Sequence, residues 1–129
     1  MILVDTSIWI EVMRRQRPLD LQSVLDLGDV VTCPPVVQEV LQGIRDPNAF
    51  RLARDSLLAF PVVEATMSID VWLEAAQAYR TARSAGVTVR SSVDCLIAVC
   101  AIRHDLEVLH RDRDFDKLAK VSPLRARQP

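Results

Sequence analysis

The chain opens Met1-Ile2-Leu3-Val4-Asp5-Thr6-Ser7, and the reading of this stretch decides the fold. Ile2 to Val4 is a continuous apolar run, too short for a helix and suited to a buried strand. It ends at Asp5-Thr6-Ser7, where hydroxyl residues can cap a helix running from about Ser7 to Arg15. A strand that feeds a helix at its carboxyl end is the first unit expected of an α/β chain.

The pattern repeats outward from there. Pro18 stops the first helix, and a second helical stretch is expected over Leu19–Leu27, ending near Gly28. Val30-Val31-Thr32-Cys33 reads as the next strand, closed by Pro34-Pro35, which suit a first helical turn. Val36, Val37, Val40, Leu41 and Ile44 then recur at helical spacing, with Gly43 near the end. Pro47 and Asn48 start a helix to about Phe60, and Pro61-Val62-Val63-Glu64 reads as a short third strand. Ser68 to Ala85 is a long helix closed by Gly86 as a left-handed C′ residue. Ser91-Ser92 cap a helix whose Val93, Leu96, Ile97, Cys100 and Ala101 form an apolar stripe. Leu106–His110 is a strand, Phe115–Lys120 a short helix and Val121–Leu124 an edge strand. The core is expected to end near residue 121, with a frayed tail over residues 122–129. The sum is one domain over residues 1–129, an α/β fold with a central parallel sheet of about five strands flanked by helices.

Bulk composition narrows the function by exclusion. At 129 residues, half apolar and 26% charged, the chain is long enough for one well-packed core. A formal charge of −1 gives no global electrostatic signal, so any nucleic-acid affinity must come from local basic clusters. Cys33, Cys95 and Cys100 are odd in number, lie in apolar runs and lack zinc-site spacing, which reads as reduced core thiols. No apolar run approaches the ~20 residues of a membrane span. With no basic leader or cleavage site at the N-terminus, a cytoplasmic location is expected.

Four acids stand out by position. Asp5 ends the first strand, Glu39 follows the second by one helical turn, Asp94 lies in the first turn of its helix, and Asp112 follows the strand ending at His110. In an open parallel sheet, ligands gather at the carboxyl ends of the strands. Singly, each acid has a plain structural role: a cap for Asp5, a helix-dipole partner for Asp94, an exposed helix residue for Glu39, a solvated turn for Asp112. Jointly, four such charges on one edge of a sheet repel, at roughly 4 kcal/mol for a pair ~4 Å apart near a surface, and call for a divalent cation.

The stretches that carry these acids resemble the PIN-domain ribonucleases, and within them the VapC-type toxins of bacterial toxin–antitoxin pairs. They are Val4-Asp5-Thr6-Ser7, Pro35-Val36-Val37-Gln38-Glu39-Val40-Leu41-Gln42-Gly43, Ser92-Val93-Asp94-Cys95-Leu96-Ile97-Ala98 and Leu109-His110-Arg111-Asp112-Arg113-Asp114-Phe115. Their order and separations are the family's, and together they cover nearly the whole chain. The resemblance implies that Asp5, Glu39, Asp94 and Asp112 form the metal-binding, catalytic cluster, with Ser7 and Thr6 in support. Asp114 matches the second acid of the last motif and assists or substitutes for Asp112. His110 departs from the pattern, since the family usually has Thr or another hydroxyl there.

Hard carboxylate oxygens without Cys or His suit Mg²⁺ or Mn²⁺, one ion or two. Such an ion polarises a phosphate and activates water for in-line attack on phosphorus. The resemblance further implies an RNA substrate (a tRNA or rRNA site), a cognate VapB-like antitoxin whose C-terminal segment covers the active-site groove, and a homodimer; no membrane partner is expected. Arg111, Arg113 and Lys117 are candidates to hold the RNA backbone, against the reading of a solvated basic face. Arg14 or Arg15 could instead pair with an antitoxin acid. Trp9 and Trp72 fit either core or interface.

Rival readings are a receiver domain, a catalytically silent PIN-like interaction module and a housekeeping PIN nuclease without an antitoxin. The receiver reading fails because the only acid near its middle position, Asp55, lies in a helical pattern. The silent module would usually have lost an acid, and all four are here.

Overall fold

In a computed structural model describing residues 1–129, the opening run is the strand Ile2–Val4 (β1), hydrogen-bonded to a parallel neighbour on each side. Leu3 and Val4 are fully buried, as a central parallel strand requires. Asp5 stands just outside the helix Thr6–Val12 (α1), in extended backbone, and accepts the Ser7 N–H. This helix ends short of Arg15. Arg17 adopts a left-handed backbone (φ 50°), and the Leu19 N–H reaches back to the Glu11 carbonyl at 3.0 Å.

The expected helix over Leu19–Leu27 does not form; two short 3₁₀ turns, Leu21–Ser23 and Leu27–Asp29, take its place. The Asp20 and Asp26 carboxylates accept the Gln22 and Gly28 N–H groups. Local side-chain bonds of this kind compete with a helical ladder.

Val30–Val31 (β2) is the next strand. The third strand expected at Pro61–Glu64 contributes one parallel bridge, Thr32 to Val62, so the sheet has four strands. Pro61 has no N–H to give a ladder, and Glu64 at φ 54° leaves the extended region.

Helices Pro34–Gln42 (α2), Pro47–Leu58 (α3) and Ile69–Ser84 (α4) follow. The last closes as foreseen at Gly86 (φ 75°), with the Gly86 N–H on the Arg83 carbonyl and the Val87 N–H on the Ala82 carbonyl, a Schellman turn. Helix Ser92–Arg103 (α5) ends the same way, with Asp105 (φ 53°) in the glycine's place and the Leu106 N–H on the Ala101 carbonyl at 2.8 Å. Then come Glu107–Leu109 (β3), Arg113–Val121 (α6) and Arg125–Arg127 (β4).

The edge strand thus falls at Arg125–Arg127 rather than Val121–Leu124. Helix α6 runs through Val121, and Pro123 lacks the N–H that a ladder needs. Part of the expected tail is therefore sheet, fastened by the Arg127 Nε to Glu107 at 2.7 Å.

Sheet order is β2-β1-β3-β4, all parallel. The chain leaves β1 for β2 on one side and later enters β3 on the other, so the switch point lies between the carboxyl ends of β1 and β3. The Asp5 N–H donates to the Leu109 carbonyl there, at 3.0 Å.

Helix α5 packs against α2, α4, α6 and β3. Its burial therefore extends past the expected stripe to Cys95, Ala98 and Val99, while Val93 and Leu96 stay half-buried. The three cysteines are buried free thiols. No helix is long and apolar enough to cross a membrane.

Phe115 is the largest fully buried side chain, its ring tilted against His110 with centroids 5.3 Å apart. Phe115→Ala is expected to cost about 3–5 kcal/mol of unfolding free energy, read by urea denaturation. A loss under about 1 kcal/mol would contradict a well-packed site.

Candidate active site

Four of the five acids singled out in the sequence are positioned by a strand exit or a helix start, and Glu39 by the body of α2. Asp5 is the N-cap of α1, Glu39 lies on α2, Asp94 in the first turn of α5, Asp112 is the N-cap of α6, and Asp114 lies in its first turn. One carboxylate oxygen each from Asp94, Asp112 and Asp114 lies within 4.8 Å of the others. Asp5 and Glu39 have their pKa raised by burial first, with Asp112's charge adding a smaller push to both.

The supporting bonds are specific. Ser7 donates to Asp5 Oδ2 from both its N–H (3.0 Å) and its hydroxyl (2.5 Å), and that hydroxyl accepts the Arg111 N–H at 2.9 Å. One small side chain thus ties the β1 exit to the β3 exit. Thr6 Oγ1 donates to Glu39 Oε1 at 2.9 Å, joining α1 to α2. Both residues named as supporting do hold acids. Asp112 Oδ1 accepts the Asp114 N–H at 3.0 Å, and Asp114 Oδ2 accepts the Arg90 N–H at 2.9 Å.

His110, the departure from the family pattern, is fully buried, and its Nδ1 accepts the Asp112 N–H at 3.2 Å. The ring thus supplies a hydrogen bond that orients the Asp112 backbone. Its Nε2 lies 3.3 Å from Asp116 Oδ1 but without hydrogen-bond alignment.

Three buried carboxyl oxygens have no hydrogen-bond partner: Asp5 Oδ1, Asp94 Oδ2 and Asp114 Oδ1. Unpaired buried acceptors are costly. Burial is also the main reason that the pKa of Asp5, Glu39 and Asp94 is raised. For Asp5 it outweighs the Ser7 bonds, and for Glu39 the Thr6 bond. Asp94 is pushed up to about 8, by burial first and then by the charges of Asp112 and Asp5. An all-oxygen donor set with orphaned, mutually repelling carboxylates fits a hard divalent cation.

Of the basic candidates, Arg111 is committed to Glu11 (2.9 Å) and Lys117 to the Thr88 carbonyl (3.2 Å), beside Asp114. Arg113 is exposed and makes no side-chain bond. Arg90 was not singled out, yet it lies beside Asp112 and Asp114. Its one sequence signal is a basic residue directly before the Ser91-Ser92 cap of the helix that carries Asp94.

Comparison with known proteins identifies the family. Residues 2–121 match the PIN domain. The chain belongs to the PIN-domain family. It is 39% identical over 131 residues to Ribonuclease VapC11 of Mycobacterium tuberculosis and to VapC ribonuclease Mb1587 of Mycobacterium bovis, covering 98% of this chain and 97% of each relative. This places it among the VapC-type PIN proteins. Its fold matches the solved VapBC2 of Rickettsia felis bound to a promoter DNA fragment (TM-score 0.75, 15% identity, 100% of this chain and 99% of that one). It also matches VapBC-5 of Mycobacterium tuberculosis (TM-score 0.71, 22% identity, 99% and 98%).

The raised pKa of Asp94 has a thermodynamic consequence. Between its ordinary value near 3.8 and about 8, the folded chain keeps a proton that the unfolded chain has released. The stability this contributes is full below pH ~4 and is lost progressively as pH rises to about 8. In chelator, Asp94→Asn is expected to be more stable than the parent at pH 8, the gap closing toward pH 4. Thermal midpoints across that range check it; equal midpoints at pH 8 would refute the shift.

Proposed function

We propose that this VapC-type PIN protein is a divalent-metal-dependent endoribonuclease, the growth-inhibiting toxin of a toxin–antitoxin pair, acting in the cytoplasm. The carrying observation is the set of orphaned carboxylate oxygens on Asp5, Asp94 and Asp114 at the switch point of the sheet. The 39% identity to named VapC ribonucleases over nearly the full chain supports the substrate class.

Asp94, Asp112 and Asp114 would hold the ion, Mg²⁺ or Mn²⁺, with Asp5 and Glu39 completing the cluster. When bound, the ion supplies Lewis acidity at the scissile phosphate. The chain's own residues do the positioning. Ser7 fixes one Asp5 oxygen and leaves the other unbonded, and Thr6 holds one oxygen of Glu39. Backbone N–H groups of residues 114 and 90 fix Asp112 and Asp114, so the cluster is organised before substrate arrives.

A cognate VapB-like antitoxin is the proposed regulator; the solved VapBC relatives are toxin–antitoxin assemblies. A groove of about 510 Å³ between α1, α2 and α3 is lined almost wholly by apolar side chains, including Trp9, Met13, Ile44, Leu52 and Phe60. It suits the apolar face of an antitoxin helix. Exposed Ile69, Trp72 and Leu73 on α4 form a separate apolar face, which supports a homodimer.

Asp94→Asn is expected to keep the fold and to lower Mg²⁺- or Mn²⁺-dependent cleavage of total bacterial RNA by more than about a hundredfold, abolishing growth arrest. Added Mn²⁺ should raise the thermal midpoint of the parent more at pH 8 than at pH 5, since ligation needs ionised carboxylates. Undiminished cleavage by the folded variant would refute the reading. Leu52→Glu, at an exposed groove position, is expected to leave cleavage intact and to abolish neutralisation by the co-expressed antitoxin; retained neutralisation would move the antitoxin elsewhere.

A further inference from the structure

Five carboxylates around one site pose a problem that a single divalent ion leaves unsolved: the approaching RNA phosphate is itself an anion. Some cation of the chain must face it, and most nearby ones are spent. Arg111 is bonded to Glu11, and the Lys117 ammonium to the Thr88 carbonyl; Arg113 is unbonded but makes no ion pair with the acids of the cluster. Arg90 differs in two respects. Its backbone N–H donates to Asp114 Oδ2 at 2.9 Å, which pins its Cα at the rim of the cluster. Its guanidinium, by contrast, makes no hydrogen bond. It stands 3.8 Å from Asp112 Oδ1 and 3.9 Å from Asp114 Oδ1, with the side chain 72% exposed.

At those distances the carboxylates attract the guanidinium without consuming its donors, and an exposed pair of this kind holds it only weakly. The result is a tethered cation with its whole fork of N–H donors unspent, beside the acids that would carry the metal. A planar fork is the arrangement that binds phosphate bidentately. Resting on this nuclease reading, we propose that Arg90 is a substrate-phosphate residue of the active site, moving from its loose contact with Asp112 and Asp114 onto an RNA phosphate at the cluster. The carboxylates it leaves are then compensated by the divalent ion, so metal and phosphate enter without leaving the guanidinium unpaired.

The test compares the parent, Arg90→Ala, Arg90→Lys and a charge control, Arg54→Ala, whose arginine pairs with neighbouring Asp55 on α3. Cleavage of total bacterial RNA is measured in Mg²⁺. Binding of a fluorescent mixed-sequence single-stranded RNA is measured against salt in the uncleaving Asp94→Asn background. Thermal stabilisation by Mn²⁺ reports the metal site alone. Arg90→Ala is expected to cleave roughly tenfold to a hundredfold more slowly, the loss of one charge-assisted contact. Its binding should lose about 0.7 from the slope of log affinity against log salt, one phosphate's worth for a single strand. Its Mn²⁺ stabilisation should be retained or enlarged, because a competing cation is gone. Arg90→Lys should fall between, and Arg54→Ala should match the parent. An unchanged salt slope, or Mn²⁺ stabilisation lost together with cleavage, would overturn the assignment; the second result would make Arg90 a support of the metal site only. A parent that cleaves no RNA would instead refute the nuclease reading, with the salt slope still deciding whether Arg90 meets a phosphate.

Discussion

Burying several carboxylates together is the constraint on which the rest of this structure depends. Asp5, Asp94 and Asp114 are almost wholly removed from solvent, and each keeps one oxygen without a hydrogen bond. A fold selected for stability alone would not do this, since each unmet acceptor and each like-charge neighbour works against the folded state. The core must offset the cost. Helix α5 is the clearest compensation. It carries Asp94 in its first turn, yet buries Ile97, Ala98, Cys100 and Ala101 against the sheet and three helices. The destabilising end of that helix is held by the stabilising remainder.

Two of the acids have a structural role that is compatible with the proposed site. Asp5 and Asp112 each cap a helix with one oxygen, Oδ2 and Oδ1 respectively. A carboxylate has a second oxygen, and capping fixes where it points. Capping therefore does not exclude a ligand role for the same side chain. Asp114 follows the same rule: the Arg90 N–H occupies Oδ2 and leaves Oδ1 unbonded. Asp112 and Asp114, between which the last motif divides its ligand, each bring an oxygen within 4.8 Å of one on Asp94.

Much of this was legible in the sequence because the acids follow local signals. An apolar run ending in Asp5-Thr6-Ser7, or a Ser91-Ser92 cap two residues before Asp94, can be read from a few neighbouring residues. What stayed hidden depends on contacts remote in the chain. The Arg111 N–H bond to the Ser7 hydroxyl spans 104 positions, and the Arg90 bond to Asp114 spans 24; no local pattern encodes either. The failure over Leu19–Leu27 is of another kind. Helical periodicity was present there, but Asp20 and Asp26 offered the backbone closer partners, and side-chain turns overrode the pattern. At Pro61–Glu64 the apolar content suited a strand while Pro61 and the left-handed Glu64 denied it a ladder.

The charge distribution bears on how such a site would select its substrate. A net charge of −1 provides no long-range attraction for a polyanion. The rim cations are few, and Arg111 and Lys117 already face Glu11 and Asp114. Recruitment would therefore rest on a small number of phosphate contacts. Few contacts mean weak nonspecific binding and a shallow salt dependence. Discrimination must then come from how an RNA's shape brings one phosphate to the carboxylates rather than from overall affinity.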